Sequence, residues 1–301
     1  MKYIKDFRQE YFLTAAECNP EKEMPLSLVM TKIIEVATLH ANSWGVGYAD
    51  MIRNNEGWVL SRVTIEMLRY PKVNEAYTFT TWIEDYNRHF SQRNMEITDH
   101  NGEVIGYART MWRVINCATR ESSDISQLSY LRENLSPHEC PIAPQGRLRQ
   151  ITNGKTTDYT FKYTDCDVNR HVNTVKYLDL LLNQFTLEKY DQNFVKRLEI
   201  AFLKETLFGT TAQVNCDDSD PMDCKFSIDV DGTSHVKSRI VFSPREEPHR
   251  QHSQCVISKQ AFCRHHIRAS SHSRCRTAGR LPSQAPTSRF SSYRSCKDME
   301  N

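Results

Sequence analysis

No stretch of this 301-residue chain approaches the ~20 consecutive apolar residues that a membrane-crossing helix requires, so a helical membrane protein is excluded. The opening MKYIKDFRQEYF lacks the apolar segment and small-residue cleavage site of a secretory signal, and also the Ser/Arg-rich, acid-poor character of a transit peptide. The expected location is therefore the cytoplasm. Cysteine is present, but framework spacing is not. Cys18, Cys117, Cys140, Cys166, Cys216 and Cys224 lie far apart, and reduced thiols are expected rather than disulfides. No glycine-rich phosphate loop and no metal-ligand cluster occurs in the body of the chain, which argues against a nucleotide or metal enzyme; no cofactor and no metal are expected.

What is present is a globular balance: 39% hydrophobic and 25% charged residues, with length enough for two ordinary domains. The net charge of +2 conceals an asymmetry. Residues 244–301 carry 11 Lys+Arg against 4 Asp+Glu, which leaves 28 basic and 33 acidic residues in 1–243. The last segment is rich in Ser, His, Cys and Arg and has almost no apolar period. Its Cys263, His265, His266 and Cys275 do not match a standard zinc spacing. A basic, low-complexity, disordered tail is expected there.

Two similar passages precede it, each an apolar helix followed by strands. In the first, Phe7–Leu13 reads as a strand, and Leu26–Ala41 as a helix whose apolar residues recur every three or four positions. The segment Trp58–Leu68 alternates Val59, Val63, Ile65 and Met67 with polar residues, the two-residue period of a strand. Strands are also expected over 75–84, 91–98 and 104–116, the last two joined by an Asn101-Gly102 turn. In the second passage a strand at Asp158–Thr164 leads to a helix at Val172–Phe185. Strands then follow near 195–206, 212–216, 225–230 and 235–242, with a turn at Asp231-Gly232. A sheet curled around a helix buries both apolar faces. The expected fold is α+β: tandem hotdog folds, two long helices each wrapped by an antiparallel sheet. The divisions are 1–124, a linker 125–155, a second domain 156–243 carrying the active-site motif, and the tail 244–301.

The segment 163–177, YTDCDVNRHVNTVKY, places Asp167, Asn169 and His171 at alternate positions before a helix. In an extended segment they would point to one side, near backbone N–H groups that favour developing negative charge. Asp and Asn before a helix also serve commonly as caps and turn formers. The string Asp167-x-Asn169-x-His171-Val172-Asn173-x-x-x-Tyr177 resembles the active-site signature of acyl-acyl carrier protein thioesterases. Trp58–Arg62, Arg69-Tyr70-Pro71, Thr80, Trp82, Gly102-Glu103, Ala108-Arg109 and Trp112 are similar to the same family. The resemblance covers about residues 5–243.

That resemblance implies hydrolysis of the thioester of fatty acyl-acyl carrier protein, ending chain elongation with release of a free fatty acid. It implies Asp167, Asn169, His171 and Glu205 as catalytic-site residues. Thr206 stands where many plant members carry a cysteine, so a carboxylate-assisted attack by water fits better than a cysteine nucleophile. Glu205 or Asp167 is the expected base or nucleophile. His171 would orient water or protonate the leaving thiolate, and Asn169 would hold the carbonyl or its oxyanion. The family implies an acyl tunnel, with Met30, Ile33, Ile34 and Ala37 as substrate-binding residues. The expected partner is acyl carrier protein bearing a phosphopantetheine-linked acyl chain. Arg62, Arg69, Lys72, Arg88, Arg93, Arg109 and Arg113 are docking candidates. No nucleic-acid partner and no membrane span are expected, and the chain is read as a monomer or homodimer. His40 and the four tryptophans read as core residues. The alternatives are a hotdog acyl-CoA thioesterase and a non-catalytic acyl-binding module.

Overall fold

A computed structural model describes residues 4–151 and 154–246. The tail and its Cys263, His265, His266 and Cys275 lie outside the described residues. Leu26, Val29, Met30, Ile33, Val36, Ala37 and His40 all sit buried along one face of α1 (Leu26–Ser43). The apolar period is thus the face the helix presents to the sheet. Strands β1 (Phe7–Phe12), β2 (Glu56–Met67), β3 (Ala76–Tyr86), β4 (Ser91–Asp99) and β5 (Val104–Asn116) belong to this half. The second half repeats the order with β6 (Lys155–Thr160), α4 (Thr174–Leu182), β7 (Asn193–Phe202), β8 (Thr211–Asp217), β9 (Asp223–Val230) and β10 (Thr233–Pro244).

All ten strands join in one sheet ordered β1-β3-β4-β5-β2-β7-β10-β9-β8-β6. Each half is antiparallel with the same internal connection, and the halves meet where β2 pairs with β7, from Arg62↔Ala201 to Glu66↔Arg197. Pairing the two long strands removes an exposed edge from each half. The arrangement is the expected tandem hotdog fold, with α1 and α4 on the inner face. One core joins Met30, Ile33 and Phe79 of the first half to Leu178, Leu198 and Phe226 of the second. Burying each such side chain contributes about 1.5–3 kcal/mol. The β9–β10 hairpin turns through Asp231 (φ 48°) and Gly232 (φ 72°), both left-handed as a two-residue turn demands.

Three short helices have no counterpart among the sequence expectations: α2 (Tyr48–Arg53), α3 (Ser129–Glu133) and α5 (Leu187–Gln192). At five or six residues each, they are too short to show a helical period. The second main helix is also shorter than the expected Val172–Phe185. Asn173 caps it, its side-chain oxygen accepting from Val175 N at 2.9 Å, and Asn183 ends it. The segment 125–151 is packed. Ile125, Leu131, Cys140 and Ile142 are buried in it. Trp82 Nε1 donates to His138 O at 2.6 Å, and Arg109 donates to the carbonyls of Ile142 and Cys140. Arg197 Nη2, on β7, reaches Ala143 O at 2.8 Å, so this segment is tied to both halves. The six cysteines of the described residues are free thiols. Among the described residues no helix is long and apolar enough to cross a membrane.

Candidate active site

A cavity of about 430 Å³ opens on the inner face of the first half. Its walls come from the C-terminal half of α1 (Ile34, Ala37, Ala41), from α2 (Tyr48, Met51, Ile52) and from the sheet (Trp58, Ile83, Trp112, Ile115). Leu131 of α3 closes part of it. The lining is mostly apolar, and its polar residues gather in two places. Asn169, His171, Glu205 and Arg120 form one group, and Ser91 and Arg93 on β4 form the other.

The first group is assembled by a chain reversal. The segment 166–172 folds back on itself, with Cys166 bridging Val172 and Asp167 N donating to His171 O at 2.8 Å. Arg170 takes the left-handed conformation (φ 64°) that closes the turn. Asp167 Oδ1 accepts from Asn169 N at 2.8 Å and from His171 N at 3.2 Å. This corrects the expectation of an extended stretch. Asp167 faces the backbone of its own turn and does not line the cavity, whereas Asn169 and His171 do. The return arm then pairs with the segment after β7: His171 bridges Leu207, and Val172 N donates to Thr206 O at 2.8 Å.

That pairing carries Glu205 to His171. His171 Nε2 lies 3.4 Å from Glu205 Oε2, with the two side chains 25% and 41% exposed, so the pair is open to the cavity and to water. Strand β7 ends at Phe202, short of the expected end at 206, so Glu205 lies in the irregular connection after the strand and not on it. Arg120, in the turn after β5, forms an ion pair with the Glu205 carboxylate. Nothing in the sequence marks Arg120: it is a single cation in a turn, 85 residues from its partner. Thr206 is buried and shares a hydrogen bond with His235 Nδ1 at 2.8 Å. Burial, and then the nearby Lys204, lower the pKa of His235. Neither Thr206 nor His235 lines the cavity, and neither does any residue of α4. The expected use of the α4 N-terminus for the oxyanion is therefore not what this geometry offers. Asn169 brings a side-chain amide to the cavity lining.

Residues 4–129 match the family model described as the acyl-ACP thioesterase N-terminal domain, and residues 148–244 match that of the C-terminal domain. The chain belongs to the acyl-ACP thioesterase family. A chloroplastic acyl-[acyl-carrier-protein] hydrolase of Cuphea viscosissima is 27% identical over 66% of this chain and 52% of its own length. The palmitoyl-acyl carrier protein thioesterase of Arabidopsis thaliana is 24% identical over 79% of this chain and 64% of its own length. The chain thus spans about half to two thirds of these curated relatives. Among solved structures, an acyl-ACP thioesterase from Bacteroides thetaiotaomicron superposes with a TM-score of 0.74 at 28% identity, covering 79% of this chain and 98% of that one. The 12:0-ACP thioesterase of Umbellularia californica shares the fold, with a TM-score of 0.71, 19% identity, and 80% and 98% coverage.

In this acyl-ACP thioesterase family member the four α1 residues expected at the acyl chain divide into two pairs. Ile34 and Ala37 line the cavity. Met30 and Ile33 are wholly buried in the core and do not reach it. The docking candidates divide as well. Arg62 and Lys72 are exposed. Arg88 pairs with Asp124 at the surface, Arg113 is half-buried, and Arg69 is shared by Glu75 and Asp99. Arg109 is committed to Glu84 and to the carbonyls of the 140–142 segment. Arg93 is buried and faces the cavity, so it presents no docking face. Glu75, Asp99 and His100 come close enough to hold an ion, but Arg69 Nη2 already lies 2.6 Å from one carboxylate and 2.8 Å from the other. That set is an ion-pair cluster at the β4–β5 hairpin.

Proposed function

We propose that this chain hydrolyses the thioester of a fatty acyl-acyl carrier protein and releases the free acid. Support comes from the His171–Glu205 pair and Asn169 standing together at the mouth of an apolar cavity. The acyl chain lies in the cavity, and the pantetheine arm approaches from outside. Glu205 takes a proton from a water held between it and His171, and the water oxygen adds to the carbonyl carbon. Asn169 donates to the oxyanion. The tetrahedral intermediate then expels the thiolate as the C–S bond breaks, and the proton that Glu205 took from the water passes through His171 to the sulfur, which restores both groups. Glu205, not Asp167, is the base, because Asp167 Oδ1 is held by two backbone N–H groups of its own turn. Asp167 acts as a positioning residue that keeps Asn169 and His171 in place.

In this reading residues 1–124 and 156–243 are the two domains. The first supplies the acyl cavity, the second supplies the reacting groups, and 125–155 joins them. The partner is acyl carrier protein, the compartment is the cytoplasm, and the chain acts as a monomer or homodimer. The test is turnover on acyl-acyl carrier protein and on acyl-CoA of matched length. Preferential release of free acid from the carrier protein is expected, with a loss of about 10²–10⁴-fold in Glu205→Gln or His171→Ala. A preference for acyl-CoA would move the assignment to the CoA thioesterases. Tight acyl binding without turnover on either carrier would make the chain a binding module.

A further inference from the structure

Arg93 is a cation without an anion. The residue is 6% exposed, yet it lines the cavity. Its Nη1 donates to His40 Nδ1 at 2.8 Å and approaches Thr81 Oγ1 at 3.3 Å. Its guanidinium carbon lies 5.4 Å from the centre of the Trp44 ring. Nε and Nη2 find no acceptor among the described residues, and no carboxylate there pairs with Arg93. His40 cannot serve as a counter-ion. Its Nε2–H donates to Ile4 O at 2.8 Å, leaving Nδ1 as the acceptor of a neutral ring. Burial lowers the pKa of the guanidinium itself to about 9, a measure of how poorly it is solvated. A second buried donor belongs to the neighbouring ring: Trp44 lines the same cavity, and its Nε1 is buried with no hydrogen-bond partner among the described residues.

A saturated hydrocarbon chain would leave both donors facing methylene groups. Buried donors without acceptors are costly, and a buried cation without a partner more so. The missing element is an acceptor. Strand order and register place Arg93 away from the chemistry. Glu205 follows β7, and β7, β2, β5 and β4 are successive neighbours. In register Arg93 faces Thr110, Thr110 faces Val63 and Val63 faces Ile200, so Arg93 lies three interstrand steps, about 14 Å along the sheet, from β7, and Glu205 lies five residues beyond Ile200. We infer that this side of the cavity, away from His171 and Glu205, takes the tail of an acyl chain.

We propose that the cavity is built for an acyl chain carrying an oxygen near its distal end, a hydroxyl, oxo or carboxylate group, which Arg93 and Trp44 Nε1 recognise. This rests on the thioesterase reading for where the carbonyl lies. The oxygen accepts from the free guanidinium N–H groups and from the indole N–H, while Ile83, Trp112 and Ile115 cover the hydrocarbon. Arg93 is thus a specificity-determining residue, remote from the reacting carbonyl.

The test uses the full chain and amide-linked acyl-pantetheine analogues, which cannot be hydrolysed. They are prepared in matched lengths with a methyl, hydroxyl, oxo or carboxylate terminus, and binding is measured by calorimetry. At the length that reaches Arg93, one of the oxygen-bearing analogues is expected to bind about tenfold or more tighter than the methyl-ended one. Whether the hydroxyl, oxo or carboxylate arm wins identifies the group. Arg93→Met is expected to abolish or reverse the preference, and Trp44→Phe, which keeps the ring but loses the N–H, to weaken it. Methyl-ended analogues binding tightest to the wild-type chain at every length would overturn the proposal, even if Arg93→Met did not fold. So would an Arg93→Met variant that keeps the preference. Turnover on plain acyl-acyl carrier protein separates the two readings. Hydrolysis without an oxygen preference removes only this proposal. An oxygen preference without hydrolysis of any thioester leaves this proposal standing and removes the enzyme.

Discussion

His171 meets Glu205 because the backbone reverses at Arg170 and the return arm pairs with the segment after β7. The roles follow from what each side chain is free to do. Asp167 is occupied by its turn, so Asp167→Asn, which keeps one acceptor oxygen, is expected to lose less activity than Glu205→Gln. Equal losses in kcat, with unchanged circular dichroism, would show that Asp167 reacts directly. Thr206 is buried against His235, away from the cavity. Thr206→Ala is therefore expected to keep turnover within several-fold while lowering the melting temperature. An inactive, folded Thr206→Ala enzyme would contradict attack by water. His40 allows a prediction about pH. Burial, and then the Arg93 guanidinium, hold its pKa near 3 instead of 6.5. Between those values the unfolded chain binds a proton that the folded chain does not, so stability falls as pH drops from 6.5 toward 3. Above 6.5 this contribution is complete. The slope is at most about 1.4 kcal/mol per pH unit. Urea midpoints at pH 7.5 and pH 5 should fall further for the wild-type chain than for His40→Gln; parallel declines would mean that His40 is not the proton-linked group.

At the level of elements, α1 serves two surfaces, and substitutions on it should separate them. Ala37 lines the cavity, so Ala37→Leu is expected to shift released acids toward shorter chains at little cost in stability. Ile33 is sealed in the core, so Ile33→Ala is expected to cost about 2–5 kcal/mol and leave the product profile unchanged. Gas chromatography of the acids, beside thermal melts, checks both; a chain-length shift in Ile33→Ala would place the tunnel deeper than the cavity described here. Asn173→Ala, which removes the α4 cap, should cost about 1 kcal/mol without touching specificity. The same elements show what the sequence reveals. The period of three and four in Leu26–Ala41 and the alternation in Trp58–Leu68 announce α1 and β2, because long one-sided burial leaves a periodic trace. The Asp231-Gly232 and Asn101-Gly102 pairs announce turns through their backbone demands. Helices of five or six residues leave no such trace, and α2 and α3, which wall the cavity, were invisible for that reason. The site was half legible. Asn169 and His171 were read from their motif, and Glu205 from the resemblance of the stretch Leu198–Thr206 to the family. The direction in which Asp167 points depends on a left-handed residue at Arg170, where no glycine signals it. Arg93 reads as an ordinary strand charge until the sheet turns it inward beside His40 and Trp44.

Across the whole molecule, the seam between halves is continuous structure. Strands β2 and β7 pair over five residues, one core holds α1 and α4 together, and the 125–151 segment is bonded to both sides through Arg109 and Arg197. Most of the cavity wall comes from one half and Asn169, His171 and Glu205 from the other, so the proposed activity requires the seam. With a strand ladder and one core spanning both halves, the halves are expected to unfold together. The tryptophans provide a direct test, since Trp44, Trp58, Trp82 and Trp112 all lie in the first half. Their fluorescence reports that half alone, whereas far-ultraviolet circular dichroism reports the strands of both. During denaturant unfolding the two signals are expected to change together, with one midpoint and one slope. Loss of turnover should follow the same curve. Placing a charge in the seam, as in Leu198→Asp, buries it without a partner beside Ile65. That variant should lower the common midpoint or prevent folding altogether. Fluorescence and dichroism that separate into two transitions in the wild-type chain would mean instead that each half holds its own fold, and that the sheet joins two bodies rather than making one.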